Sequence, residues 1–172
     1  LKVGSSRRPR CGGAMATLRV NLADVEATEA LGYAFAHEAQ RGDVFFLQGE
    51  LGSGKTSLSR GFLRRFFGNR QLDVPSPSYL LHFAYSCEDS APAATHEAAP
   101  AADGEEPAPA TTTLAFRASD TSLVPGCTVH HIDPYRLKEG KIAALIDFEK
   151  IFSQIALVEW PERLGPQLVT AS

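Results

Sequence analysis

Apolar positions along this chain fall into short blocks, and the spacing inside each block limits what it can become. From Asp24 to about Gln40 they recur at helical intervals. Leu31, Ala34 and Phe35 share one face, and Asp24 is placed to cap the start. VFFLQ (44–48) is an unbroken apolar run, as expected of a strand covered on both sides. A second helix is predicted from about Lys55 to Phe67. It stops at Gly68-Asn69, a pair that readily takes the left-handed backbone that ends helices. TLRVNL (17–22) alternates apolar and polar residues and reads as a short strand. YLLHFAY (79–85), CTVHHID (127–133) and IALVEW (155–160) are predicted as further strands, with 137–152 partly helical.

Two stretches break the pattern. Residues 88 to about 112 are Ala, Pro, Glu and Thr in low-complexity order, too poor in large apolar side chains to offset the entropy of ordering them. They are expected to form a disordered acidic insertion. Residues 1–16 carry Lys2, Arg7, Arg8 and Arg10 with no acid before Asp24, and are also expected to be disordered. Two readings stand for that segment: the tail of an organelle transit peptide, which is basic and poor in acids, or sequence preceding a start at Met15. The remainder, 17–172, is expected to be one domain.

Composition changes this picture little. The chain has 172 residues, 44% hydrophobic and 22% charged, with net charge −3. Seven acids between Glu88 and Asp120 face only Arg117, so the rest of the chain is mildly basic. That suits an anionic ligand without marking a nucleic-acid binder. Cys11, Cys87 and Cys127 form no C-x-x-C pair, which argues against a disulfide framework and a zinc site, and for a reducing compartment. No apolar run is long enough to span a bilayer.

The chemistry is concentrated in GELGSGKT (49–56), a complete match to G-x-x-x-x-G-K-[ST]. It follows a predicted strand and opens a predicted helix, the context the motif requires. Glycines 49, 52 and 54 allow consecutive backbone N–H groups to face phosphate oxygens, and the helix adds its positive end. The loop residues Glu50, Leu51, Gly52, Ser53, Gly54, Lys55, Thr56 and Ser57 are therefore the candidate nucleotide contacts. Lys55 supplies charge to the β and γ phosphates, and Thr56 a hydroxyl to Mg²⁺. The order of elements predicts an α/β fold, a three-layer P-loop NTPase-like sheet flanked by helices.

Magnesium also needs a carboxylate at the end of a neighbouring strand. Asp133 and Glu159 both qualify, and Glu159 has the cleaner apolar run before it. VPSPSY (74–79) is a stiff loop whose Ser76 and Ser78 hydroxyls can reach phosphate or metal, though a plain turn is the commoner use of such a loop. Arg136 suits either transition-state charge or an ion pair, and Trp160 either a partner contact or the core. His130 and His131, adjacent on a strand, face opposite sides and cannot readily share a metal. With His37 and His82 they read as structural.

In order, GELGSGKT, VPSPSY, HHIDPYRL and LVEWPERLG resemble the bacterial TsaE (YjeE) family, from about Leu22 to Leu164. The resemblance implies a small ATPase that uses ATP and Mg²⁺ in making N6-threonylcarbamoyladenosine at position 37 of tRNAs. It implies partners of the TsaD and TsaB kind, with tRNA met through that complex. It implies Lys55 on the β and γ phosphates, Thr56 and Glu159 on Mg²⁺, and Asp133 near the γ-phosphate. It further implies Trp160 important for activity, Thr28 of VEATEALG near the adenine, and Ser78 in a switch-like position. Three departures stand out: Ser78 replaces the usual threonine, Pro134 removes a backbone donor, and the sequence ends at Ser172 where members usually continue into a β-hairpin. The cytoplasm is the expected location, or a plastid or mitochondrion under the transit-peptide reading. Two rival functions differ in kind: a small-molecule kinase, whose Arg-bearing lid this acidic insertion does not supply, and a scaffold that binds nucleotide without hydrolysing it.

Overall fold

The structure is a computed structural model that describes residues 1–5, 19–87, 112–116, 126–138 and 141–165. Its strands are β1 (Lys2–Ser5), β2 (Val44–Gln48), β3 (His82–Cys87), β4 (Thr112–Phe116), β5 (Val129–Ile132) and β6 (Ile155–Glu159). The helices are α1 (Val25–Glu38), α2 (Lys55–Phe66) and the short α3 (Phe148–Phe152), with 3₁₀ turns at Pro77–Tyr79, Lys141–Ala144 and Pro161–Arg163. The strands form one mixed sheet in the order β1-β2-β6-β5-β3-β4. β2, β6 and β5 run parallel at its centre. β3 is antiparallel to β5, β4 is parallel to β3, and β1 is antiparallel to β2.

Alternation along the central strands divides the core into two layers. Phe45, Phe83, Tyr85, Val129, Ile155 and Leu157 pack with Ala36 of α1 and Phe62, Leu63 and Phe66 of α2. The intervening residues Val44, Ile132, Ala156 and Val158 pack on the other face with Ile142, Phe148, Ile151 and Leu164. Helices thus cover both sides of a buried sheet, the three-layer α/β arrangement expected. β6 is buried along its whole length.

α1 and α2 meet unusually closely. A methyl group at Gly61 would lie 1.9 Å from the carbonyl oxygen of Glu29, and one at Gly32 would lie 2.0 Å from that of Leu58. Two glycines, one per helix, therefore set the crossing. Glu29 reinforces it with ion pairs to Arg60 at 3.3 Å and Arg64 at 3.0 Å. Asp24 caps α1 as expected, accepting from the Ala27 N–H at 2.7 Å.

Two expectations about the sheet edges are corrected. Residues 19–22 are not a strand, and Lys2–Ser5, expected to be disordered, pair with β2 instead. A short alternating segment shows that it suits an edge; it does not show which of two such segments reaches that edge. β4 was not expected, and Thr112, placed in the acidic insertion, opens it. The rest of that insertion, 88–111, and residues 6–16 lie outside the described residues. Among the described residues no helix is long and apolar enough to cross a membrane.

Candidate functional site

β2, β6 and β5 are parallel, so their C-terminal ends lie at one edge of the sheet, where ligands of open α/β folds sit. Each strand delivers a different component there. β2 runs into the 49–54 loop, β6 ends on Glu159, and β5 is followed by Asp133. The resulting cleft, about 180 Å³, is lined by Leu51, Gly52, Ser53, Gly54, Lys55, Thr56, Ser57, Ser76, Ser78, Asp133, Glu159 and Trp160.

The loop owes its shape to glycine. Gly52 and Gly54 have φ of +77° and +92°, and Gly54 is the residue that opens α2. Lys55 is 5% exposed. Its Nζ donates to the carbonyls of Gly49 and Glu50, 2.8 Å each, and lies 3.9 Å from the centre of the Trp160 ring. The ammonium is thus held on the loop by two neutral acceptors and an aromatic face, partners that a phosphate oxygen can displace. Trp160 has φ of +51°, costly for so bulky a residue. Its N–H donates to Leu47 at 3.1 Å, and Tyr135 packs on its ring at 4.7 Å.

Thr56 Oγ1 donates to Glu159 Oε1 at 2.9 Å, joining positions 103 residues apart. His131 Nε2 lies 2.8 Å from the same oxygen. Asp133 accepts from Ser78 Oγ at 2.5 Å and from the Tyr135 N–H at 2.9 Å. Ser76 Oγ is 2.8 Å from Ser78 Oγ. A strained residue before β3, Leu81 at φ +68°, joins this loop to β5 by accepting from the Asp133 N–H at 3.0 Å.

Burial raises the Asp133 carboxyl above its ordinary value, although the hydrogen bonds from Ser78 and Tyr135 pull the other way; Glu159 adds to the rise and His131 opposes it. An acid so shifted binds its proton more tightly folded than unfolded. Its contribution to stability is present below the unfolded value, 3.8, and is lost as pH rises through the folded one. At pH 7 the charge is a cost. Asp133→Asn keeps an oxygen for Tyr135, and Ser78 can turn to accept from the amide. Thermal melts should show this variant above wild type at pH 7, with the advantage gone near pH 3. A lower melting point at pH 7 would contradict the burial cost.

The donor set fits a magnesium nucleotide. Hydroxyl and carboxylate oxygens meet at Thr56 and Glu159, a second carboxylate lies in the same cleft, and Ser53 Oγ is buried with no hydrogen-bond partner. Eleven of the fourteen sequence-predicted site residues line this cleft. Three do not. Glu50 contributes its carbonyl to Lys55 rather than its side chain. Thr28 sits behind the loop: its hydroxyl donates to Asp24 at 3.0 Å, and its methyl would be 3.1 Å from a Cβ on Gly54. The Arg136 guanidinium lies 4.2 Å from the Tyr79 ring centre. His131, expected to be structural, contacts the site instead. The two-residue alternation that separates it from His130 was the available signal. His82, for which no partner was evident, has its Nε2 2.9 Å from His130 Nδ1 on the opposite face.

A larger cleft of about 380 Å³ lies at the α1–α2 surface, with Tyr33, Arg64, Arg65 and Arg70 among its lining. Two of its cations have partners. Arg64 binds Glu29 and the Leu72 carbonyl, and Arg65 lies 4.9 Å from the Tyr33 ring centre. None of its lining residues belongs to the loop, and neither Asp133 nor Glu159 reaches it.

Residues 22–97 match the profile of a family described as threonylcarbamoyl adenosine biosynthesis protein TsaE. A protein of Synechocystis sp. named tRNA threonylcarbamoyladenosine biosynthesis protein TsaE is 29% identical over 152 residues, covering 86% of this chain and 71% of its own. A crystal structure of Bacillus subtilis YdiB aligns with a TM-score of 0.45 at 21% identity, covering 84% of this chain; this chain spans 66% of that one.

Proposed function

We propose that this chain is a member of the TsaE family, on the strength of that profile and the cyanobacterial relative, and that it binds and hydrolyses ATP in support of tRNA threonylcarbamoyladenosine synthesis. The observation that carries the reading is the meeting of Lys55, Thr56 and Glu159 at the ends of parallel strands, with the Thr56 hydroxyl 2.9 Å from the Glu159 carboxylate. Backbone N–H groups of the 52–56 loop and the start of α2 receive the phosphates. Lys55 exchanges two carbonyls for phosphate oxygens. Thr56 and Glu159 would hold Mg²⁺, which would offset charge on the phosphates. Asp133, held by Ser78 and Tyr135, orients the attacking water and accepts its proton. The Ser78–Asp133 contact supports a switch role for the 76–78 turn, in which it would register the γ-phosphate and alter docking on TsaD-like and TsaB-like subunits.

Calorimetry with Mg-ATP and a turnover assay test this. Wild type should bind. Glu159→Ala should keep much of its nucleotide affinity while turnover falls by about 10²-fold. Absence of binding heat from folded protein would refute the nucleotide site, and unchanged turnover would remove Glu159 from the mechanism. Capture of TsaD-like and TsaB-like subunits in ATP and in ADP tests the assignment to tRNA modification.

A further inference from the structure

We propose that His131 is a positioning residue that fixes the Glu159 carboxylate beside Thr56 for magnesium; the inference rests on the nucleotide-site reading above. His131 is fully buried on β5, opposite Leu157 in the parallel ladder with β6. It reaches along the same face of the sheet to Glu159, two residues further on, and places Nε2 2.8 Å from Oε1. That oxygen also accepts from Thr56 at 2.9 Å. Glu159 is itself 2% exposed, so both ends of this contact are withdrawn from water.

The other ring nitrogen argues against a packing role. Nδ1 is buried with no hydrogen-bond partner. A hydrogen on Nδ1 would be an unmet buried donor and would leave Nε2 facing a carboxylate with no proton between them. A hydrogen on Nε2 satisfies the carboxylate and leaves only a bare lone pair in the core. The geometry therefore selects the Nε2–H tautomer. An apolar side chain would fill the same space without that orphaned lone pair, so what the imidazole adds is the hydrogen bond to Glu159. Its neighbour His130 turns to the opposite face, 2.9 Å from His82, and shares no part of this contact.

Holding one carboxylate oxygen restricts the glutamate's rotamers before metal arrives, as outer ligand partners do in metal sites. The test measures how magnesium tightens binding of a fluorescent ATP analogue. In His131→Leu the magnesium concentration for half-maximal tightening should rise about 10-fold, with metal-free affinity within about threefold of wild type. His131→Gln, which can return a donor to the Nε2 position, should recover most of the loss. Long-range ¹⁵N–¹H spectra of the wild-type side chain should show the Nε2–H tautomer, with the Nε2 signal moving when Mg-ADP is added. An Nδ1–H tautomer overturns the proposal. So does a folded Leu variant with wild-type magnesium dependence, or one whose metal-free affinity falls equally. If Leu does not fold, the Gln variant and the wild-type spectrum decide. A wild type whose nucleotide binding ignores magnesium refutes the underlying reading, and this proposal with it.

Discussion

Lys55→Ala is expected to lower nucleotide turnover by about 10²–10³-fold without unfolding the protein. The ammonium is the charge placed at the mouth of α2, and it is nearly buried there, donating to the Gly49 and Glu50 carbonyls and resting on Trp160. Removal deprives the phosphates of a charge-assisted donor in a partly desolvated cleft, where such bonds are about twice as strong as neutral ones. The two carbonyls belong to an exposed loop, where water can replace the lost donor, so stability should change little. A steady-state phosphate-release assay and a thermal melt on one sample separate the effects. Turnover within a few-fold of wild type would remove Lys55 from the site; a collapse of the fold would reassign it to the loop's structure. Lys55→Arg should not rescue activity, because the planar guanidinium needs more room than the ammonium between loop and indole.

Gly61→Ala should be the more damaging change to the fold. In an exposed helix this substitution is favourable by about 1 kcal/mol. Here the added methyl would lie 1.9 Å from one backbone oxygen and 2.6 and 2.7 Å from two backbone carbons of α1, none of which can swing aside as a side chain would. The helices must separate, which loosens the Glu29 pairs and the apolar layer beneath. A loss of about 3 kcal/mol, roughly 10 °C in melting temperature, is expected. Gly32→Ala should behave alike, and the double variant should lose less than the sum, since one separation relieves both clashes. A melting point raised by the substitution would show that the crossing is not close. Turnover should fall as well, because Thr28 on α1 supports Gly54 of the phosphate loop.

The parts of the fold read correctly from sequence were those whose signals are local and redundant. β2 and β6 are continuous apolar runs, and the loop between β2 and α2 carries a motif whose glycines are dictated by backbone geometry. β1 and β4 escaped because edge strands need only one partner. KVGS has two small residues and TTLAF borders low-complexity sequence, so neither stands out. In the site, Thr56 and Glu159 followed from the motif and a strand end. The role of His131 required knowing that β5 neighbours β6 in parallel, which is a property of strand order and not of any one segment. Thr28, expected near the adenine, does not line this cleft, but its methyl faces Gly54 of the phosphate loop and its hydroxyl donates to the Asp24 carbonyl.

β1 is the one element of the described sheet that precedes Asp24, and its four residues shield the outer side of the strand that carries the phosphate loop. Proteolytic maturation anywhere between Ser5 and α1 would cut this cover from the domain. Unless the severed peptide stayed bound, the backbone of β2 would become an open pairing edge, ready to accept a strand from another molecule. Loss of β1 therefore bears on association state.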